Sequence, residues 1–175
     1  MNTKKTGDLR VDPYAITLLP ATDRARILQH FLALDESDRA LRFGVASDDD
    51  AVRRYVDGID FDESAVLAAS DGDGTLIGVA HLAFGGEAAE LGLSIAPTAR
   101  ERGLGLALST AALRTAEARG AREFRLHCSA SNVGMRRLAE ILGMETTTEG
   151  SDLIARRTLV GTRTAAAAEL EALAE

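Results

Sequence analysis

Leu91-Gly92-Leu93-Ser94-Ile95-Ala96-Pro97, followed after two residues by Arg100-Glu101-Arg102-Gly103-Leu104-Gly105, is the stretch on which the reading of this chain turns. Apolar and small or polar residues alternate up to Ile95, which is the period of a half-buried strand. Pro97 ends it, a basic turn follows, and an apolar pattern then runs as a helix to Arg119. The order is strand, turn, helix.

Gly103 and Gly105 carry no Cβ, so a ligand can lie directly against that backbone. The amides that open a helix have no carbonyl partner inside it and point outward, and the helix dipole adds positive charge to theirs. With Arg100 and Arg102 beside them, these donors suit an anion with several oxygens, such as a pyrophosphate. A bare helix start with two chance glycines is the plainer alternative. The two arginines, the preceding strand and the polar run Ser129-Ala130-Ser131-Asn132 further on argue against it.

At 175 residues the chain is long enough for one domain with its own core, built from Leu, Ile, Val and Ala, since only 4% of it is aromatic and Trp is absent. A net charge of −7 argues against nucleic acid as a partner and leans toward a cationic or polar substrate. The single cysteine, Cys128, excludes an internal disulfide and a Cys-based zinc cluster, and no metal site is expected. No apolar run approaches the ~18 residues of a membrane helix, and Met1 to Arg10 has no apolar signal core. The expectation is a cytoplasmic protein that does not engage a membrane.

Residues 1–12 read as a flexible tail, 13–160 as the folded domain, and 161–175, rich in Ala and Glu, as a C-terminal helix or tail. Inside the domain, Tyr14 to Leu18 is a strand and Thr22 caps a helix with Ile27, Leu28, Phe31, Leu32 and Leu34 on one stripe. Asp35 to Ser47 reads as a charged loop and Ser47 to Ile59 as a second helix. Strands at Ser64–Ala69 and Thr75–Phe84, joined by the turn Asp71-Gly72-Asp73-Gly74, lead antiparallel into the strand that starts near Ala88. After the central helix come a strand at Phe124–Cys128, a helix capped by Ser131 or Asn132, and strands near Glu145–Thr148 and Asp152–Leu159. A right-handed crossover makes Leu91–Ile95 and Phe124–Cys128 parallel neighbours, with any ligand at their carboxyl ends.

Three elements in this order resemble the GNAT superfamily of acyl-CoA-dependent N-acyltransferases. Arg100 to Gly105 is similar to that family's R/Q-x-x-G-x-G/A pyrophosphate turn. Ser94-Ile95-Ala96-Pro97 is similar to the strand end before it. Asn132 through Leu142-Gly143-Met144 is similar to its Asn-initiated helix ending in Gly and an apolar residue.

The resemblance implies an α/β fold. Its mixed, mostly antiparallel sheet has six to seven strands and about four flanking helices, with a V-shaped splay after a bulge between the fourth and fifth strands. It implies acetyl-CoA as co-substrate and an amine acceptor as the other partner, either a protein lysine or a small amine. Pantetheine would pair with Leu93, Ser94 and Ile95, with Asn132 bonding its arm. The pyrophosphate would be held by Arg100, Glu101, Arg102, Gly103, Leu104, Gly105, Leu106 and Ala107, and amides near Ile95 would steady the developing oxyanion. The sequence leaves monomer and homodimer both open.

Direct attack by an amine needs a base, because the amine is protonated near neutral pH. Glu90 comes first: it matches a glutamate used as base in members that acetylate protein lysines, although an exposed strand carboxylate is the bland reading. His127, five residues before Asn132, where some members place a catalytic glutamate, is second; a structural histidine is the alternative. Many members carry a Tyr general acid seven residues after the Asn, but here that position is Ala139. Ser129 is the substitute considered, and an acyl-Cys128 intermediate is not expected.

The acceptor pocket is expected between the first two helices, their link and the hairpin ends near Gly85. Asp35, Glu36, Asp38 and Asp48 to Asp50 would draw an ammonium there, unless they only solvate a loop and a helix start. Leu41-Arg42-Phe43 resembles a segment of the protein-lysine-acetylating branch. Two readings of other classes stay open: a dinucleotide-binding oxidoreductase, which would need a third glycine where Leu108 stands, and a catalytically weak acyl-CoA-binding sensor.

Overall fold

The computed structural model describes residues 9–11 and 14–159. In chain order these form β1 (Leu9–Val11), β2 (Tyr14–Leu19), α1 (Arg24–Leu32), α2 (Glu36–Phe43), α3 (Asp49–Asp57), β3 (Ser64–Ser70), β4 (Leu76–Gly85) and β5 (Ala88–Ile95). They continue with α4 (Leu104–Ala118), β6 (Glu123–Ser129), α5 (Val133–Ile141), β7 (Glu145–Glu149) and β8 (Asp152–Thr158). The expected C-terminal appendage at 161–175 and most of the expected N-terminal tail lie outside the described residues.

One sheet carries the strands in the order β1-β2-β3-β4-β5-β6-β8-β7. Every neighbouring pair is antiparallel except β5 and β6, which run parallel on either side of the α4 crossover. This is the expected mixed, mostly antiparallel α/β class. Two details differ. Leu9–Val11, inside the segment read as a tail, pairs with β2 as an additional edge strand. The segment read as a charged loop contains α2, whose signals are its caps: Asp35 accepts the Asp38 N–H at 2.8 Å and Gly44 closes the helix in the left-handed region.

Strand alternation sorts the core into two layers. Leu67, Ala80, Leu82, Ala89, Leu91, Phe124 and Leu126 turn to α4, which packs Leu104, Leu108, Ala111 and Ala112 on them. Val66, Ala68 and Val79 turn the other way, onto Ile27, Phe31, Val52 and Val56 of α1 and α3. Arg24 ties those two helices together by donating to the carbonyls of Val56, Asp57 and Ile59 at the end of α3. Both faces are thus covered, and the described helices include none long and apolar enough to cross a membrane.

The feature that positions the site is where the parallel pair ends. β5 and β6 are in register only from Ala88↔Glu123 to Leu91↔Leu126. Beyond that, β6 stays with β8 through Ser129 while β5 stays with β4 through Ile95. The strands part, leaving one edge of residues 92–95 without a strand partner. This is the expected V, between β5 and β6 because β1 adds one to the count. The bulge implied by the resemblance is absent from β5: its register with β4 runs unbroken from Gly85↔Ala88 to Gly78↔Ile95. Each strand stays bound to its outer neighbour, so the gap opens between two unbroken ladders.

Candidate active site in the cleft between β5 and β6

The cleft is a cavity of about 620 Å³. Leu93, Ser94 and Ile95 form its β5 wall, with Arg100, Glu101 and Gly103 of the turn and Leu104, Gly105 and Leu106 of α4 at one end. His127 and Cys128 of β6 and Asn132 at the start of α5 face them, and Leu34, Asp38, Leu41 and Arg42 close the far side. The sequence reading therefore converges on one place, with three exceptions.

Glu90 is exposed on β5, in register with Arg125 where the strands are still paired, and it is not part of the cavity wall. Arg102 also lies off the wall; its carbonyl accepts the Tyr14 hydroxyl at 2.8 Å, which ties the turn to β2. Ala107 is buried in the core, and its N–H is spent on the Gly103 carbonyl at 3.0 Å, so it has no donor left for a ligand. It is the first amide of α4 with a helical partner. The preceding amides are the free ones.

Gly103, at φ 80°, takes the left-handed conformation that swings the chain into α4. Glu101 does the same at φ 59°, an unusual conformation for a residue with a side chain. A Cβ placed on Gly105 would touch Leu93 and Ile95 at 3.7 and 3.9 Å, so the glycine keeps the first turn of α4 open toward β5. Arg100 is only partly available to an anion: its Nε donates to the Ile95 carbonyl at 3.1 Å and its NH2 lies 2.6 Å from Asp38 Oδ2.

On the opposite wall, His127 Nε2 lies 3.3 Å from Asp152 Oδ2, both side chains about half exposed. Asp152 faces Ser129 across the β6–β8 ladder, two positions along from the partner of His127. This is the diagonal spacing at which side chains of one face meet. Asn132 caps α5 by accepting the Met135 N–H at 3.1 Å through Oδ1, which leaves its amide group free to donate. Ser129 is engaged with the Ser131 hydroxyl at 2.8 Å, and burial raises the Cys128 thiol above its ordinary range. Ala139 is fully buried.

Two histidines lie behind the β5 wall. His30 Nδ1 meets the Leu76 carbonyl at 2.9 Å and must donate there, so its Nε2 accepts from the Ser94 hydroxyl at 2.9 Å. Ser94 thus has no free hydroxyl for the cleft, and its N–H and C=O face Val79 in the β4 ladder, in phase with the bond from the Ala96 N–H to the Ile77 carbonyl; the backbone groups turned to the cleft are those of Leu93 and Ile95. Arg42 NH2 donates to Tyr55 Oη at 2.5 Å, and because a guanidinium only donates, the Tyr55 proton goes to His81 Nδ1 at 2.6 Å. Burial, and then the Arg42 charge, lowers His81 to about 4. His30 is lowered mainly by burial as well. Both rings are neutral near pH 7.

Arg42 is a wall residue to which sequence reasoning gave no role, and Asp38 beside it was expected only as one of several acids that would draw an ammonium. Their signal was present: Asp35 and Gly44 bracket a helix on which positions 38 and 42 share a face.

The family model described as "Acetyltransferase (GNAT) family" matches residues 26–144. The chain belongs to the GNAT acetyltransferase family. Solved structures that share the GNAT fold with it include the GNAT domain of Streptomyces lividans PAT, at 19% identity over 83% of this chain and 90% of that one, with a TM-score of 0.72. A phosphinothricin acetyltransferase from Sinorhizobium meliloti in complex with AcCoA is 19% identical over 86% and 91% of the two chains, with a TM-score of 0.68. A ribosomal-protein-alanine N-acetyltransferase from Brucella melitensis is 20% identical over 82% and 99%, with a TM-score of 0.65. A search of curated proteins finds no match to the sequence. Family membership and the mostly antiparallel sheet together remove the dinucleotide-dependent reading.

Proposed function

We propose that this chain is an N-acetyltransferase that moves an acetyl group from acetyl-CoA to a primary amine by direct attack, with both held in the cleft. The observation that carries the proposal is continuity. One cavity joins the open N-terminus of α4, the unpaired edge of β5 and His127, which Asp152 meets from off the wall.

The residues present fit acetyl-CoA. The amides of Leu104, Gly105 and Leu106, with the positive end of α4, suit its diphosphate. The free edge of Leu93–Ile95 can pair with the amides of the pantetheine arm as an added strand would, and the free amide group of Asn132 can donate to a carbonyl of that arm. Acetyl-CoA supplies an acetyl group activated as a thioester. An amide near Ile95 would donate to the carbonyl oxygen as charge grows on it.

His127 is the base favoured by this geometry, because the residue lines the cavity and the Asp152 carboxylate can hold its ring in one orientation. It takes a proton from the ammonium so that the amine can attack. Glu90 is the second candidate, reaching the amine only through water. The thiolate leaves without a tyrosine acid, since Ala139 holds that position.

Thiol release from acetyl-CoA across a panel of amines and lysine peptides tests this reading. His127→Gln should lower kcat by about a hundredfold, the lower end for a general base, with unchanged acetyl-CoA affinity. Asp152→Asn should lower it less and shift the pH–rate profile. If Glu90→Gln does this and His127→Gln does not, Glu90 is the base. The buried Ala139 favours one other reading, an acyl-CoA-binding sensor; tight CoA binding with no thiol release from any amine would establish it.

A further inference from the structure

Arg42 reaches from α2 onto the backbone of β5. A Cβ on Gly92 would fall 2.5 Å from its NH2 and 2.7 Å from its Cζ, so only glycine lets the guanidinium rest on the strand there. Gly92 is the first β5 residue beyond the last in-register parallel pair, so Arg42 stands at the head of the V and in the cavity wall. The rings of Phe31, Phe43 and Tyr55 surround it, with centroids 5.4, 5.1 and 5.1 Å from Cζ.

This cation has no counter-charge among the described residues. Its one hydrogen bond among the described residues goes to the neutral Tyr55 hydroxyl, and its Nε is buried without a partner. Among the described residues no carboxylate lies within ion-pair distance of it. Asp38, one turn back on the same helix, is taken by Arg100. Three aromatic faces offset part of the cost of withdrawing a guanidinium from water, and an anion arriving in the cavity would offset the rest.

The acids expected to draw an ammonium are engaged elsewhere. Asp35 and Asp48 cap α2 and α3, Asp49 pairs with Arg39 at 2.8 Å, and Asp38 pairs with Arg100. Glu36 and Asp50 do not line the cavity. At the acceptor end an incoming molecule therefore meets a planar fork of donors. Neither the thioester nor the pantetheine arm carries an anion to match it, and the diphosphate is assigned to the far end at α4.

We infer that the acceptor is an amine that also carries a carboxylate, of the amino-acid class. Arg42 receives the carboxylate while the amine faces His127 across the cleft. A carboxylate matches the guanidinium fork in plane and spacing, which a lysine on a protein surface does not supply. The inference rests on the N-acetyltransferase reading of the same cavity.

The test is calorimetric titration of the CoA-loaded protein with L-amino acids, their matched carboxamides, and a lysine peptide blocked at both ends. The amino acids should bind tighter than their carboxamides by about tenfold, the scale of one charge-assisted hydrogen bond. Arg42→Gln should bring the preference to about one, and Arg42→Lys should keep part of it. Because Arg42 also braces an aromatic cluster, each variant is checked for its melting temperature and CoA affinity, and the charge-retaining Lys variant separates bracing from recognition. Equal binding of acid and amide, binding of none of them, a preference that survives Arg42→Gln, or a blocked peptide that binds as well as the best amino acid overturns the inference. Thiol release with acetyl-CoA is measured on the same amines; its absence, with the binding preference intact, overturns the N-acetyltransferase reading alone.

Discussion

Arg100 NH2 lies 2.6 Å from Asp38 Oδ2, joining the turn that opens α4 to the helix that closes the far side of the cleft. The two partners differ in environment: the Asp38 side chain is 8% exposed and that of Arg100 44%. The pair is a strap between α2 and the turn before α4, and the Arg100 charge already faces a carboxylate before any phosphate arrives. On the proposed reading, anion binding would then depend more on the α4 amides than on this guanidinium.

That asymmetry predicts unequal losses. Arg100→Ala strands a buried carboxylate, whereas Asp38→Ala leaves a guanidinium that water can reach. Arg100→Ala should therefore cost about 1–2 kcal/mol of stability and Asp38→Ala less. Their coupling in a double-mutant cycle should be about 0.5–1 kcal/mol, as discounted for an exposed partner. Urea unfolding measures all of these; equal losses would contradict the strap.

Gly105 predicts opposite signs for stability and binding. It sits in ordinary helical backbone, and the nearest neighbours of an added Cβ are at 3.7 and 3.9 Å, so Gly105→Ala should stabilise α4 by about 0.5–1 kcal/mol. The same methyl group occupies the gap between α4 and β5 and should weaken CoA binding by about tenfold or more. Gly103→Ala, at φ 80°, should instead lose about 1 kcal/mol of stability. Thermal melting and calorimetry on the two variants separate the roles, and a loss of stability in Gly105→Ala would contradict the geometry.

At Glu101 the strained residue is also the wrong charge for an anion site. Its φ of 59° costs about 1 kcal/mol relative to glycine. Glu101→Gly should raise stability by that amount and tighten CoA binding at low salt, with the gain in affinity shrinking as salt is added. A melting temperature below that of the unaltered chain would show that the side chain, not the backbone, sets the conformation of the turn.

What the sequence made legible was local. The alternation of Leu91, Leu93 and Ile95, the glycines at 103 and 105 and the Asn132 cap each act within one element or one turn, so residue order alone exposes them. The splay was legible only through resemblance, because it comes from β5 and β6 each keeping its outer partner, a property of four strands at once. α2 was hidden for another reason: the faces it turns inward carry Asp38 and Arg42 in place of an apolar stripe, so hydrophobic periodicity had nothing to report. The same polarity explains why the acids of that segment read as an ammonium trap. Spacing does not say that Asp35 and Asp48 are spent on helix caps.

His81 predicts how stability responds to acid. Burial, helped by the Arg42 charge, holds its folded-state pKa at about 4, below the 6.5 of an unperturbed histidine. Between these values the unfolded chain binds a proton that the folded chain does not, so unfolding gains as pH falls. The full contribution is present above pH 6.5 and drains away down to about pH 4, at no more than about 1.4 kcal/mol per unit, the limit for a single proton. His30, also lowered by burial, acts in the same direction. His81→Gln keeps an acceptor for the Tyr55 hydroxyl and removes the titration. Urea unfolding between pH 4.5 and 6.5, above the range where most carboxylates titrate, should show a shallower dependence on pH in that variant than in the unaltered chain, with a remainder due to His30. Identical slopes would mean that His81 is protonated in the folded protein, and that the Arg42–Tyr55–His81 chain does not run in the direction assigned to it.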